Sequence, residues 1–314
     1  MPIQWFPGHM HSTKKAIAER MPDIDVVIEM LDARVPGSSA NPLLAELTAG
    51  KPALKLLNKQ DLADPEWTSA WLAHYNGLPG TRAIALDASG APGAARQLVA
   101  ACRELAPLRG GMVKPLRVMI CGIPNVGKST LINTLVGQRM AKTGDEPGIT
   151  KDEQKIALAS DCYLFDTPGM MWPRITVEQS GYLLAASGSI GRNAYDEEEV
   201  ALELLAHARL RYADRLQVRY KLGDLHGATG ETLLADIARK RGGLLGGGRL
   251  NLQKAGEITL TDFRSGAWGR ITLETPEEFA AWCSEGQTRE AARVARKAAL
   301  LASGKPRPQR GGEA

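Results

Sequence analysis

Gly122-Ile123-Pro124-Asn125-Val126-Gly127-Lys128-Ser129 decides the fold. Its spacing is that of a phosphate-binding loop, and it stands between an apolar run at 116–121 and a helix-length segment at 128–136, the context such a loop needs. The glycines let backbone N–H groups from Val126 to Thr130 close around phosphate oxygens. Lys128 supplies positive charge to the β- and γ-phosphates, and the Ser129 hydroxyl is a candidate Mg²⁺ ligand. Asn125 has two readings. Its amide oxygen faces a phosphate-bound cation, or Asn is present because it tolerates a tight turn.

Outward from this loop, the other parts of a nucleotide switch lie in rotated order. Downstream, Asp166-Thr167-Pro168-Gly169 follows a short apolar run at 162–165. Asp166 is placed to serve magnesium, and Gly169 to offer a backbone N–H to a γ-phosphate. Between the two motifs, the polar stretch 142–151 contains Thr150, whose hydroxyl is expected to reach magnesium only while a γ-phosphate is present. Thr143 is the rival, and position just before a strand favours Thr150. Upstream of the loop sits Asn58-Lys59-Gln60-Asp61, after an apolar run at 53–57. The Asp61 carboxylate can accept from both N1–H and the exocyclic amine of guanine, and adenine offers no such pair. Asp87-Ala88-Ser89 follows the next run, so the Ala88 N–H can meet guanine O6, with Ser89 beside it.

The apolar runs at 25–32, 53–57, 83–86, 116–121 and 162–165 alternate with helix-length segments at 65–75, 92–106 and 128–136. Such alternation predicts an α/β doubly wound sheet, here a P-loop GTPase domain with circular permutation. The Gly/Pro-rich stretch 109–115 joins the old ends. Beyond Gly169 the pattern turns helical, at 176–187, 196–216, 231–241 and 250–263, which predicts a smaller, mainly helical domain. The expected division is a GTPase domain at 1–174, a helical RNA-binding domain at 175–285 and a basic tail at 286–314. The tail carries Arg289, Arg293, Arg296, Lys297, Lys305, Arg307 and Arg310 against Glu290 and Glu313, a net +5 in a chain of 314 residues whose total is +4. The rest of the chain is therefore nearly neutral.

No apolar stretch approaches the ~20 residues of a membrane span, so no membrane partner is expected. The beginning of the chain lacks a basic, apolar secretory leader. A cytoplasmic monomer is the expectation. Cys102, Cys121, Cys162 and Cys283 are scattered without a C-x-x-C pair, the pattern of buried small hydrophobes rather than of a disulfide framework or a zinc site. Asp196-Glu197-Glu198-Glu199 reads as an acidic first turn facing a helix dipole.

With these motifs, the chain resembles the circularly permuted GTPases of ribosome assembly, the YlqF/RbgA family. The resemblance includes Trp5-Phe6-Pro7-Gly8-His9-Met10 and Asp32-Ala33-Arg34-x-Pro36. It implies GTP and GDP as ligands, a large ribosomal subunit precursor (rRNA and ribosomal proteins) as partner, release after hydrolysis, and K⁺ beside Mg²⁺ through Asn125. Signalling GTPases place Gln after D-x-x-G to orient water, whereas Met170 stands here. The resemblance offers His9 for that role; the alternative is a His that caps a turn or packs on Trp5. A non-enzymatic GTP/GDP sensor and a GTPase of another RNA-related pathway are the competing readings. From charge alone, Arg209, Arg211, Arg215, Arg219, Lys221, Arg239, Lys240 and Arg241 are either an RNA-phosphate surface or a solvated helix face.

Overall fold

A computed structural model describes residues 3, 10–87, 93–111, 113–143, 155–241, 243, 245, 247 and 249–302. Strands β1 (Val26–Asp32), β2 (Ala53–Asn58), β3 (Thr81–Leu86), β4 (Leu116–Gly122), β5 (Lys155–Ala159) and β6 (Cys162–Asp166) form one sheet in the order β3-β2-β1-β4-β6-β5. All neighbours are parallel except β5, which runs antiparallel to β6 at the edge. Every residue of β1 is buried, as expected of a central strand covered on both faces. The chain winds outward from β1 to β3 and then returns to lay β4 on the other side of β1. The order thus reverses between β1 and β4, where open α/β sheets bind their ligands.

Helices α1 (Met10–Arg20), α2 (Pro42–Leu47), α3 (Pro65–Asn76), α4 (Ala94–Leu105) and α5 (Lys128–Thr143) belong to the α/β part. Helix α5 runs further than the expected 128–136. The stretch 109–111 is tied rather than loose: Arg109 pairs with Asp25 at 2.9 Å, and the Gly111 N–H donates to Asp161 at 2.8 Å.

The helical part comprises α6 (Glu178–Ser187), α7 (Glu197–Tyr220), α8 (Gly230–Lys240) and α9 (Leu252–Ser265). Asp196 caps α7, accepting from the N–H groups of Glu198 and Glu199 at 2.8 and 3.1 Å, so the acidic turn is a helix start. Among the described residues no group of His, Cys, Asp and Glu is arranged to hold a metal. Cys102, Cys121 and Cys162 are buried singly.

Two departures from expectation shape the site. Residues 271–275 are neither helix nor linker. They form an extended strap on the α/β part, with the Ile271 N–H donating to the Leu62 carbonyl at 2.9 Å and the Leu273 N–H to that of Arg34 at 2.8 Å. Residues 286–302, expected to open a basic tail, are the second half of helix α10 (Pro276–Ala302). Its start packs Phe279 on Trp71 of α3, ring centres 6.0 Å apart, and Glu290 pairs with Arg174 at 3.0 Å. Positive charge spaced along a helix face reads like a solvated tail until partners such as Glu178, bonded to Arg289 at 2.8 Å, are seen.

Candidate functional site

Strands β1, β2, β4 and β6 run the same way, so Asp32, Asn58, Gly122 and Asp166 at their carboxyl ends come out on one edge of the sheet. There the guanine motif and the phosphate loop are stitched together. The Asn58 side-chain amide donates to the Val126 carbonyl at 2.8 Å, and the Lys59 ammonium to the Asn125 carbonyl at 3.1 Å. The loop curls tightly enough to need positive φ at Asn125 (58°) and Gly127 (100°). A Cβ on Gly127 would overlap the Asn58 amide, so both conformation and space require glycine there.

Lys59 also donates to Asp32 at 2.9 Å. Arg34 grips the same carboxylate with two bonds, Nε to Oδ1 at 2.9 Å and Nη2 to Oδ2 at 2.7 Å, the bidentate geometry that makes such pairs strong. Burial alone would raise the Asp32 carboxyl; the charges of Arg34 and Lys59 and their hydrogen bonds outweigh it and hold the group well below the usual carboxylate range. Asp32 is thus a fixed anion that keeps Lys59 extended along the phosphate loop. Asp61 stands exposed at the end of this row.

At the other end of the site, Lys128 pairs with Asp166 at 2.7 Å, and both are largely buried. The Lys128 ammonium would be available to a phosphate group, and the Asp166 carboxylate and Ser129 hydroxyl are hard oxygen donors of the kind that would suit Mg²⁺. When held there, such a cation would stabilise charge on the phosphoryl oxygens as a Lewis acid. Gly169 lies against the phosphate loop, where an added Cβ would come within 3.0 Å of Pro124 Cα. The Met170 N–H donates to the Gly122 carbonyl at 3.0 Å, and its carbonyl accepts from the Asn41 amide at 2.7 Å. The Met170 and Met171 side chains are fully buried. A buried thioether orients no water, so the attacking water needs another partner.

Asn58, Lys59, Asn125, Val126, Gly127, Lys128, Ser129, Thr130, Asp166 and Gly169 converge on this edge, with Asp61 beside them. Expectations for His9, Ala88, Ser89 and Thr150 fall outside the described residues. The sequence carries no signal for Asn41, and for Asp32 and Arg34 it offers only the family resemblance. Asp32 at the end of a buried strand, two residues before Arg34, was the available signal. Arg270 and Thr272 carried none, because their partners lie about two hundred residues away.

Fold and site define a circularly permuted P-loop GTPase, a GTP hydrolase. A family model described as "50S ribosome-binding GTPase" matches residues 117–217. Ribosome biogenesis GTPase A of Bacillus cereus is 40% identical over 286 residues, covering 89% of this chain and 96% of that protein. Two solved structures are similar at 25% identity: GDP-bound YlqF, with a TM-score of 0.59 over 83% of this chain and 99% of that one, and GNP-bound YlqF from Thermotoga maritima, with 0.58 over 85% and 99%. The chain belongs to the Ribosome biogenesis GTPase A family.

Proposed function

We propose that this GTPase acts in late assembly of the large ribosomal subunit, binding a precursor particle in its GTP form and leaving after hydrolysis. One observation carries the reading: the γ-phosphate sensor leads straight into the helical part. After Gly169 the chain passes through buried Met170, Met171 and Trp172 and enters α6. Arg174 and Glu178 on that path bond Glu290 and Arg289 of α10. Nucleotide state and the placement of the helices therefore share one two-state element.

In this reading residues 1–174 are the GTPase domain and the helices contact rRNA. Several of their arginines already serve the protein: Arg219 holds Asp262 at 2.6 Å, Arg241 the Arg219 carbonyl at 2.6 Å, and Arg211 pairs with Glu278. Exposed Lys221, Lys240, Arg296 and Lys297 remain as phosphate contacts, which makes binding salt-dependent. Asp61 with Ala88 and Ser89 reads guanine. Ser129, Asp166 and Thr150 hold Mg²⁺, and Asn125 recruits K⁺. His9 orients the water that Met170 cannot. The protein works as a cytoplasmic monomer; no helix among the described residues is long and apolar enough to cross a membrane.

Sucrose-gradient sedimentation with large-subunit precursors tests the central claim. Co-migration with a non-hydrolysable GTP analogue and not with GDP is expected; identical profiles in both states would refute it. His9→Ala should keep GTP affinity and lose particle-stimulated hydrolysis, so undiminished turnover removes that role.

A further inference from the structure

The loop that carries Asp61 is held by a distant piece of chain. Lys59 turns it sharply, with φ at 62°, and its own turn bonds are Leu62 N–H to Lys59 carbonyl at 3.0 Å and Ala63 N–H to Gln60 carbonyl at 3.3 Å. Alongside runs the segment 270–272. Arg270 donates from Nη2 to the Gln60 carbonyl at 2.9 Å and from Nε to the Ala63 carbonyl at 2.8 Å. The Ile271 N–H donates to the Leu62 carbonyl at 2.9 Å, and the Thr272 hydroxyl accepts from the Asp64 N–H at 3.1 Å. The carbonyls on both sides of Asp61 are thus fixed from the helical part. Arg270 is itself exposed, and its carbonyl accepts from Arg215 of α7.

We propose that Arg270 is a positioning residue for guanine selection. It acts by holding the Gln60 and Ala63 carbonyls, so that the Asp61 carboxylate meets N1–H and the exocyclic amine together. The inference rests on the assignment of Asp61 to the base. Both bonds form only if two oxygens sit within ordinary hydrogen-bond range of two donors at once. A loop free to rotate about its turn keeps one bond at the expense of the other. The planar guanidinium suits a brace that spans two carbonyls, which a lysine ammonium cannot reproduce. What Arg270 supplies is therefore discrimination between bases, whereas grip on the phosphates comes from residues 122–130.

Calorimetric titration of the full-length protein with GDP, IDP and XDP tests this. IDP lacks the exocyclic amine and forfeits one charge-assisted bond, so the wild type should prefer GDP by roughly tenfold or more. In Arg270→Ala the GDP/IDP ratio should fall by about fivefold, with IDP affinity held within about twofold, and Arg270→Lys should lie between. An unchanged ratio, or equal weakening of both nucleotides, overturns the inference. Because Arg270 is exposed, the alanine variant leaves no cavity, and its IDP affinity reports an intact phosphate site. Asp61→Asn provides the separate arm: its amide donates where the carboxylate accepted, so preference should move from GDP to XDP. No such move defeats the base assignment and the inference with it. A move to XDP alongside an unchanged Arg270→Ala ratio defeats the inference alone.

Discussion

The Asn125 side-chain amide donates to the carbonyl of Gly188 at 2.8 Å, joining the phosphate loop to the C-terminal cap of α6. The amide oxygen on the same side chain is the group proposed to meet K⁺. Asn125→Ala removes both functions. Wild-type hydrolysis should be faster in KCl than in NaCl at equal ionic strength, and the variant should show no difference between the salts. Equal wild-type rates would eliminate the cation.

Arg34 is 2% exposed and Asp32 fully buried. Arg34→Met keeps an apolar stem but leaves the buried Asp32 carboxylate with Lys59 as its charged partner beside the backbone N–H of residue 34. Removing one member of a buried pair costs about 3–5 kcal/mol. The urea midpoint should drop accordingly, with the slope of the transition unchanged. A midpoint within error of wild type would show that Lys59 suffices.

Gly286 lies inside α10, where alanine should favour the helix by about 1 kcal/mol. A Cβ there would stand 2.9 Å from the Thr176 carbonyl, a backbone atom. Overpacking of this kind costs typically about 1–3 kcal/mol, so the contact outweighs the propensity. Gly286→Ala should lower the melting temperature, and a rise would show that α10 does not press on the segment at Thr176.

Glu274 of the strap is buried against the loop after β1. It accepts from the Ser38 N–H at 2.7 Å and the Ser38 hydroxyl at 2.5 Å, and that hydroxyl touches Ser180 at 2.8 Å. Burial pushes its carboxyl from 4.5 up to about 7, against the bonds from Ser38. Between those values the folded chain holds the proton more tightly than the unfolded one. This contribution is complete below 4.5 and is lost as pH rises through 7, amounting to about 3 kcal/mol at most. The urea midpoint should therefore fall between pH 5 and pH 8 by more in the wild type than in Glu274→Gln. Parallel pH profiles would mean that Glu274 does not titrate in this range.

The phosphate loop, Asp166 to Gly169 and Asn58 to Asp61 were legible because each is a local string at the end of an apolar run, and local strings survive permutation. Strand β5 was not, because Lys155–Ala159 is a short edge strand with no fully buried residue. Helix α1 has a weak amphipathic pattern, and α2 is only six residues long. The strap was illegible for a different reason. Ile271 and Leu273 are buried, yet their backbone bonds go to Leu62 and Arg34, and no pattern within 270–275 names partners so far away.

That strap also sets an order of events at birth. Gln60 and Arg270 are 210 residues apart, which at roughly 5–20 residues per second is a delay of about ten to forty seconds of translation. For most of that interval the loop around Asp61 exists without the segment that binds its carbonyls. A chain cut short before position 270 would lack both Arg270 bonds to this loop, so the brace is among the late products of synthesis.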